Sequence, residues 1–418
     1  MFVKKRVLLV TNGFPFGESE RGFLSAEAKK LAEQFDLYVL APENADELRY
    51  PADDIVRIDR YRYSSFRKTR DWCGLLRILR MSTFREAWAL ARAHHFSNPI
   101  GDLRQTLYFR FNAWEMEKKI GELVETEKID LVYTYWCCEY AVGAVYLKER
   151  FPDLKVVTRF HGMDLYQERR KDGWQPFRNE VARLADGLCF ACEHGRTYFM
   201  EHWGAEYARK MHIFYLGSTD RGVLEVPQGE KLQMISCSNL IPLKRVDLII
   251  EGLALLPDTI QVEWNHFGDG AQREALEGIA REKLQNHPNI QWKFHGFVPN
   301  SMLAEEYRAI KPQVFITTSS TEGGAPVSIQ EAFSMGIPAI GTAIGGIPDL
   351  VLDGETGYLL PQQAKAADVA EAVAKFAALS GEEKQKMAAA ARKRWTEKFD
   401  AVENAAQFAA YLRDLIPQ

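Results

Sequence analysis

Apolar, β-rich runs and amphipathic stretches alternate along the whole chain. A strand is predicted over residues 6–11, an amphipathic helix over 23–35 and a second strand over 37–40. Further strands are predicted over 129–135, 155–160, 187–191 and 213–216. Such a β-α-β succession predicts a doubly wound parallel sheet. A polar stretch over 218–231, containing Pro227 and Gly229, interrupts the pattern and reads as a linker. The pattern then restarts, with strands over 233–237, 261–267, 290–294, 314–317 and 339–342 and a helix over 246–256. An alanine-rich tail over 382–415 is predicted helical.

Length agrees with this division. The chain has 418 residues, and two or three domains follow at about 150 residues each. With 46% apolar and 26% charged residues, real cores are expected. The net charge of −4 is too near neutral to argue for nucleic acid over the whole molecule. No apolar run approaches the roughly 18 residues of a membrane span. The start, Lys4-Lys5-Arg6 then Val7-Leu8-Leu9-Val10, imitates a signal peptide. Its apolar part is too short, and Thr11-Asn12-Gly13 follows at once, so a first strand is expected. Six cysteines in such a chain are not a disulfide scaffold. Cys189 and Cys192 have metal-like spacing but no second pair, and Cys137 and Cys138 are adjacent. Reduced buried thiols and a cytoplasmic protein are expected.

One stretch departs from the overall charge. Residues 57–92 hold ten Lys or Arg against three acids, with Tyr61, Tyr63, Phe66, Trp72, Phe84 and Trp88 interleaved. Two readings stay open. One is a solvated helical face with aromatics buried beneath it. The other is contact with an anionic membrane surface or with a diphosphate-linked acceptor. No recognition motif supports nucleic acid.

The densest chemistry follows the apolar strand over 314–317, in Thr318-Ser319-Ser320-Thr321-Glu322-Gly323-Gly324-Ala325-Pro326. Pro326 suits a first helical turn, where its missing N–H is harmless. Ile329, Ala332 and Phe333 recur at i, i+3, i+4 as a buried stripe. Gly336 ends the helix. Strand, glycine loop, helix is the order that places ligands outside the carboxyl ends of an open α/β sheet. Gly323 and Gly324 permit close backbone approach, and the helix start favours an anion. Glu331, in the first two turns, is placed to accept ribose hydroxyls. These residues predict a nucleotide or phosphosugar site.

The segment resembles the donor-site signature of the retaining family-4 glycosyltransferases. That family has the GT-B fold, two Rossmann-like doubly wound domains with a cleft between them. Its signature has two glutamates separated by seven residues, followed by Ala-x-x-x-Gly-x-Pro. Glu331, Ala332, Gly336 and Pro338 match the second half. Eight residues separate Glu322 from Glu331, so either the loop carries one extra residue or Gly323 takes the first glutamate's place. The Glu-Gly-Gly turn favours the former. The resemblance implies an acceptor-side domain over 1–220 and a donor-binding domain over 230–398. It also implies a helix within 399–418 that returns to the first domain.

Other stretches carry the same resemblance. In Ser238-Asn239-Leu240-Ile241-Pro242-Leu243-Lys244-Arg245, Lys244 takes the place of the lysine that binds the donor diphosphate. Asn239 stands where the family has arginine, and the adjacent Arg245 is positioned to supply the missing charge. A leaving diphosphate gathers negative charge, and fixed cations stabilise it. His161-Gly162-Met163-Asp164 resembles the family's His-Gly-x-Asp, whose histidine lies near the transferred sugar. The first loop, with Gly13, Gly17 and Glu20, resembles one bordering donor phosphate and acceptor. Gly268 belongs to a Gly-Asp-Gly turn and Phe297 to the turn flanking the base; 353–360 is read as a structural turn. Tyr133, Tyr135 and Trp136 either stack on an acceptor sugar or pack in the core.

The resemblance therefore implies a retaining, metal-independent glycosyltransferase. Its donor is a nucleotide sugar, UDP- or GDP-linked, and no further cofactor is expected. Its acceptor is a saccharide, with a lipid-linked oligosaccharide among the options. His161, Glu322 and Lys244 are the expected catalytic residues. Gly17, Asn239, Arg245, Gly268, Phe297, Gly323, Gly324 and Glu331 are expected around the donor. Gly13, Glu20 and Asp164 are expected on the acceptor side. The alternatives are a GT-B nucleotide-sugar epimerase, or an inactive partner subunit, which the Asn239 replacement and the glutamate spacing favour.

Overall fold

The computed structural model describes residues 4–417 other than 17, 44–47, 49, 64–77, 226, 228 and 230, with 18, 19 and 21 described by backbone alone. The chain divides into two compact units, Met1–Phe214 with Val402–Gln418, and Tyr215–Ala401.

The first unit is built on seven parallel strands: β1 Arg6–Val10, β2 Asp36–Pro42, β3 Arg57–Tyr61, β4 Leu131–Thr134, β5 Lys155–Phe160, β6 Gly187–Phe190 and β7 Met211–Ile213. Their order in the sheet is β3-β2-β1-β4-β5-β6-β7. Val7, Leu8, Leu9 and Val10 are all fully buried, because helices cover both faces of the sheet. Leu8 is the register partner of Tyr38 on one side and Val132 on the other. The order reverses between β1 and β4, and a ligand crevice opens at such a switch point. The last helix, Ala401–Leu415, lays Phe408 against Tyr133 at a ring separation of 4.8 Å. The Arg159 guanidinium sits 4.4 Å over the same Phe408 ring and pairs with Glu27 at 2.7 Å.

The second unit has six parallel strands: β8 Leu232–Cys237, β9 Val262–Phe267, β10 Ile290–Gly296, β11 Val314–Thr317, β12 Ala339–Thr342 and β13 Gly357–Leu360. Their order is β10-β9-β8-β11-β12-β13, so the switch point falls between β8 and β11. Met234, Trp264, Ile316 and Ile340 form its core beneath the helices Val246–Leu253 and Ala366–Ala377. Full burial of such a side chain contributes about 1.5–3 kcal/mol.

Several expectations are corrected. Strand β7 ends at Ile213, so 213–216 is mostly outside the sheet. The first helix starts at Glu18 rather than at 23. The tail is two helices, Gly381–Lys398 and Ala401–Leu415, with buried Phe399 between them. Ser380 and Glu383 start the former reciprocally: the Ser380 Oγ accepts from the Glu383 N–H, and the Glu383 carboxylate from the Ser380 N–H. Strands β3 and β13 were not expected. β3 begins the basic stretch, and its Arg57 pairs with Asp59 at 2.6 Å and Glu127 at 2.5 Å. That part is therefore a charged sheet edge, not a free basic surface. Phe66 and Trp72, with Arg67, Lys68 and Arg70, lie outside the described residues.

Candidate functional site

At the switch point of the second sheet, two loops are tied together by backbone groups. After β8 the chain turns through Pro242–Lys244, and Arg245 takes a left-handed φ of 47° before the helix Val246–Leu253 begins. After β11 the chain runs through Thr318–Pro326. The Thr318 hydroxyl donates to the Arg245 carbonyl at 2.7 Å, and the Ser320 N–H donates to the Leu243 carbonyl at 2.8 Å. This stitching brings the Lys244 ammonium 2.5 Å from the Glu322 carboxylate, with both side chains partly exposed. The Arg245 guanidinium donates to the Ala364 carbonyl at 2.8 Å, beyond β13. Lys244 is thus the cation of this turn that meets the glycine loop. Asn239 is exposed, and its carbonyl accepts from the Ile241 N–H at 3.0 Å.

A third loop, missed by the sequence reading, braces the glycine loop. Gly345 has a φ of +50°, and a Cβ there would overlap the Glu322 carbonyl oxygen. A Cβ on Gly346 would overlap Gly324 and Ala325, and the Gly346 N–H donates to the Gly324 carbonyl at 3.2 Å. The available signal was the Gly-Gly pair directly before Ile347-Pro348, a proline-started turn of helix.

Pro326 is the N-cap of the helix Val327–Ser334 rather than part of its first turn. Glu331 is 8% exposed, and one of its oxygens, Oε1, accepts from Asn300 Nδ2 at 2.7 Å and from Arg221 at 2.9 Å. Its other oxygen makes no bond among the described residues. Arg221 and Asn300 carried no signal in the sequence, because each is distant from Glu331 along the chain. Nearby, the Gly268 N–H donates to the Gly296 carbonyl at 2.9 Å. Gly268 has a φ of +129°, and a Cβ there would overlap the Ser238 carbonyl. Its glycine is therefore required by packing at the ends of β8 and β9. Phe297 is 76% exposed.

In the first unit, two expected acceptor-side carboxylates prove to be inward-facing. Glu20 is 2% exposed and accepts from the N–H groups of Asn12, Gly13 and Phe14 at 3.1, 2.8 and 2.7 Å, and from Trp136 Nε1 at 2.5 Å. Four donors fill it, so it positions the Gly13 loop instead of reaching a ligand. Asp164 accepts from the N–H groups of His161 and Cys137, both at 2.6 Å, and so ties the end of β5 to the end of β4. Burial raises its carboxyl above the usual value, against the pull of Arg178 and those N–H groups. Gly17 lies outside the described residues. Tyr133 and Tyr135 are fully buried, which leaves Trp136 as the partly exposed ring of that trio.

His161 sits 4.7 Å from the Tyr135 ring and 4.4 Å from the Trp136 ring. Its Nε2 lies 2.9 Å from the Tyr135 carbonyl. A carbonyl only accepts, so Nε2 carries the proton and Nδ1 keeps its lone pair. Burial, and then the Arg159 charge, push the imidazole pKa down to about 3, so the ring is neutral near pH 7. A cavity of about 560 Å³ opens at the carboxyl ends of β1, β2 and β3, lined by Asn12, Pro42, Glu43, Tyr61, Arg62 and Tyr63.

Cys137, Cys138, Cys189, Cys192 and Cys237 are free thiols. Among the described residues no helix is long and apolar enough to cross a membrane.

Known proteins match both the sequence and the fold. Residues 221–394 match the family model of glycosyl transferases group 1. The N-acetyl-alpha-D-glucosaminyl L-malate synthase of Bacillus anthracis is 22% identical over 259 residues, 58% of this chain and 64% of that protein. A Salmonella typhimurium protein provisionally named colanic acid biosynthesis glycosyltransferase WcaL is 29% identical over 228 residues, 52% of this chain and 55% of that protein. The chain thus spans between about half and two thirds of the length of these relatives. The solved lipopolysaccharide outer core galactosyltransferase WaaB superposes with a TM-score of 0.69 at 12% identity, covering 98% of this chain and 99% of that one. Residues 221–394 are thus similar to the glycosyl transferases group 1, in a chain whose two parallel-sheet units have the GT-B fold.

Proposed function

We propose that the chain is a retaining glycosyltransferase. It moves a sugar from a uridine- or guanosine-diphosphate donor to a saccharide acceptor in cell-surface polysaccharide synthesis. A lipid-linked oligosaccharide presented at the cytoplasmic face of the membrane fits as that acceptor. The observation that carries this reading is the Lys244–Glu322 ion pair beside Gly323 and Gly324, at the switch point of the second sheet.

In the step proposed, the C1–O bond to the donor β-phosphate breaks. A C1–O bond to the acceptor hydroxyl forms on the same face of the sugar ring. The acceptor proton passes to the leaving phosphate oxygen, so no side-chain base is required. Charge gathers on the diphosphate, where the Lys244 ammonium stabilises it, helped by N–H groups of the glycine loop and the helix start. With Lys244 in that role the reading needs no metal ion. Glu322 orients Lys244 and the donor sugar, and the unused oxygen of Glu331 accepts a ribose hydroxyl. Exposed Phe297 fits a stacking role against the base. Neutral His161 offers Nδ1 to a hydroxyl of the transferred sugar.

The test is incubation with a panel of nucleotide sugars and saccharide acceptors, with the product's anomeric configuration read by NMR. Retention of the donor's configuration supports the reading, and inversion overturns it. A second reading, an inactive partner subunit, is favoured by exposed Asn239 and by the attachment of Arg245 to Ala364. Turnover that appears only in an Asn239→Arg variant supports that second reading.

A further inference from the structure

We infer that the outward face of the helix Met81–Ala93 and of the start of the helix Pro99–Glu127 docks on an anionic lipid bilayer. The inference deepens the lipid-linked acceptor reading by naming the surface that brings the chain to its substrate.

The helix Met81–Ala93 is patterned inside out. Its buried side holds Thr83, Glu86, Ala87, Leu90 and Ala91. Its exposed side holds Met81, Phe84 and Trp88, at 69, 46 and 65% exposure. These residues, with exposed Arg85 and Arg92, recur at i, i+3, i+4, i+7 and i+11 and share one face. The neighbouring helix continues the pattern with exposed Ile100, Arg104 and Tyr108 at i, i+4 and i+8. Phe96, also exposed, touches the Trp88 ring at 5.2 Å. Scattered exposed apolar side chains are ordinary, but such a set repeated on one face of each of two packed helices marks an interaction site.

Charge selects the occupant. The carboxylates between 79 and 108 are Glu86 and Asp102, and both are buried. Glu86 accepts from Trp174 Nε1 at 2.7 Å and from the Phe177 N–H at 2.9 Å. Asp102 lies 2.7 Å from His94 Nδ1. Arg80 is paired with Glu149, which leaves Arg85, Arg92 and Arg104 as the outward arginines among large apolar side chains. Aromatic and aliphatic groups entering the headgroup layer beside three arginines, on two helices with no outward carboxylate of their own, suit an anionic bilayer interface.

The test is sedimentation of the full chain with vesicles of phosphatidylcholine, with and without phosphatidylglycerol. Wild type is expected to bind only the phosphatidylglycerol vesicles. The Arg85→Glu/Arg92→Glu variant is expected to bind at least about tenfold more weakly, since one basic residue near such a surface is worth about fivefold. Phe84→Ser/Trp88→Ala is expected to lose binding too, with an unchanged melting curve because both side chains are exposed. Equal binding by both variants and wild type overturns the inference. So does a wild type that ignores vesicles but forms a dimer that Trp88→Ala dissociates. Melting shifts with nucleoside diphosphates, run on the same samples, keep the readings apart: their absence in wild type counts against the donor site and leaves the membrane result standing.

Discussion

The Lys244 ammonium lies 2.5 Å from the Glu322 carboxylate, although 77 residues separate them along the chain. The pair exists because the turn after β8 is hydrogen-bonded to the loop after β11 through Thr318 and Ser320. In the proposed reaction, a cation held in this way would be fixed before a diphosphate arrived, so little reorganisation would be needed as charge developed. Lys244→Ala is expected to lower kcat by about 10²–10³-fold. The melting temperature is expected to change little, because a part-exposed ion pair contributes only about 0–1 kcal/mol. Turnover and calorimetry on one preparation check both.

Glu331 is oriented by Arg221 and Asn300 through a single oxygen. Arg221→Ala is expected to weaken nucleotide binding by about 10–100-fold, the range of a charged hydrogen bond of about 1.5–3 kcal/mol. It is also expected to erase the preference for a ribonucleotide over its deoxy analogue, which a general loss of structure leaves untouched. Calorimetric titration with both nucleotides reads the difference. Arg221→Lys is expected to restore part of it.

Gly345→Ala sets a methyl against the Glu322 carbonyl at a φ of +50°. The loop must shift, at about 1–3 kcal/mol of stability. The nucleotide-induced melting shift is expected to shrink far more than the intrinsic melting temperature falls. The reverse pattern would show that the brace acts on the fold alone.

Burial pushes the pKa of His161 down to about 3 and that of His266 down to about 4. In the unfolded chain a histidine titrates near ~6.5. Between these values the unfolded chain binds more protons, so the stability due to both neutral rings is full above about pH 6.5 and falls as pH falls below it. His94 acts in the opposite sense, because its contacts with the Asp172 carbonyl and Asp102 raise its pKa. Melting temperature is expected to fall from about pH 6.5 to 5, where the two neutral rings lose their contribution. A His161→Gln/His266→Gln variant is expected to flatten that fall. An unchanged slope in the variant contradicts the assignment.

Glu27 and Arg159 form a buried pair inside the first unit, with the Arg159 guanidinium over Phe408. Glu27→Ala leaves that charge buried without its partner and is expected to destabilise by about 3–5 kcal/mol. Denaturant unfolding monitored in the first unit checks it.

The legible parts of the fold were those whose signal is local. β11 is three apolar residues and a threonine, with Glu-Gly-Gly following after four more residues, and β5 has the bounds predicted for it, 155–160. β3 was hidden because Arg57, Asp59 and Arg60 outnumber its apolar residues and are matched by partners elsewhere, Glu127 among them. Motif reading found Glu20 and Asp164 but not the direction they face. That direction is set by backbone N–H groups of neighbouring loops, which no residue pattern records. Gly345, Arg221 and Asn300 share this difficulty: each acts on a residue that chain folding, not spacing, brings near.

On the proposed reading, the second unit binds a nucleoside diphosphate through Lys244 and Glu331. The measurement that meets it most directly is thermal melting of the full chain against nucleoside diphosphates and their sugars, for wild type, Lys244→Ala and Glu331→Ala. A ligand at 100 times its dissociation constant adds about 2.7 kcal/mol, a readily measured shift. The account predicts a base-selective shift in wild type that both variants lose. No shift with any member of the panel, or an equal shift in all three proteins, contradicts it.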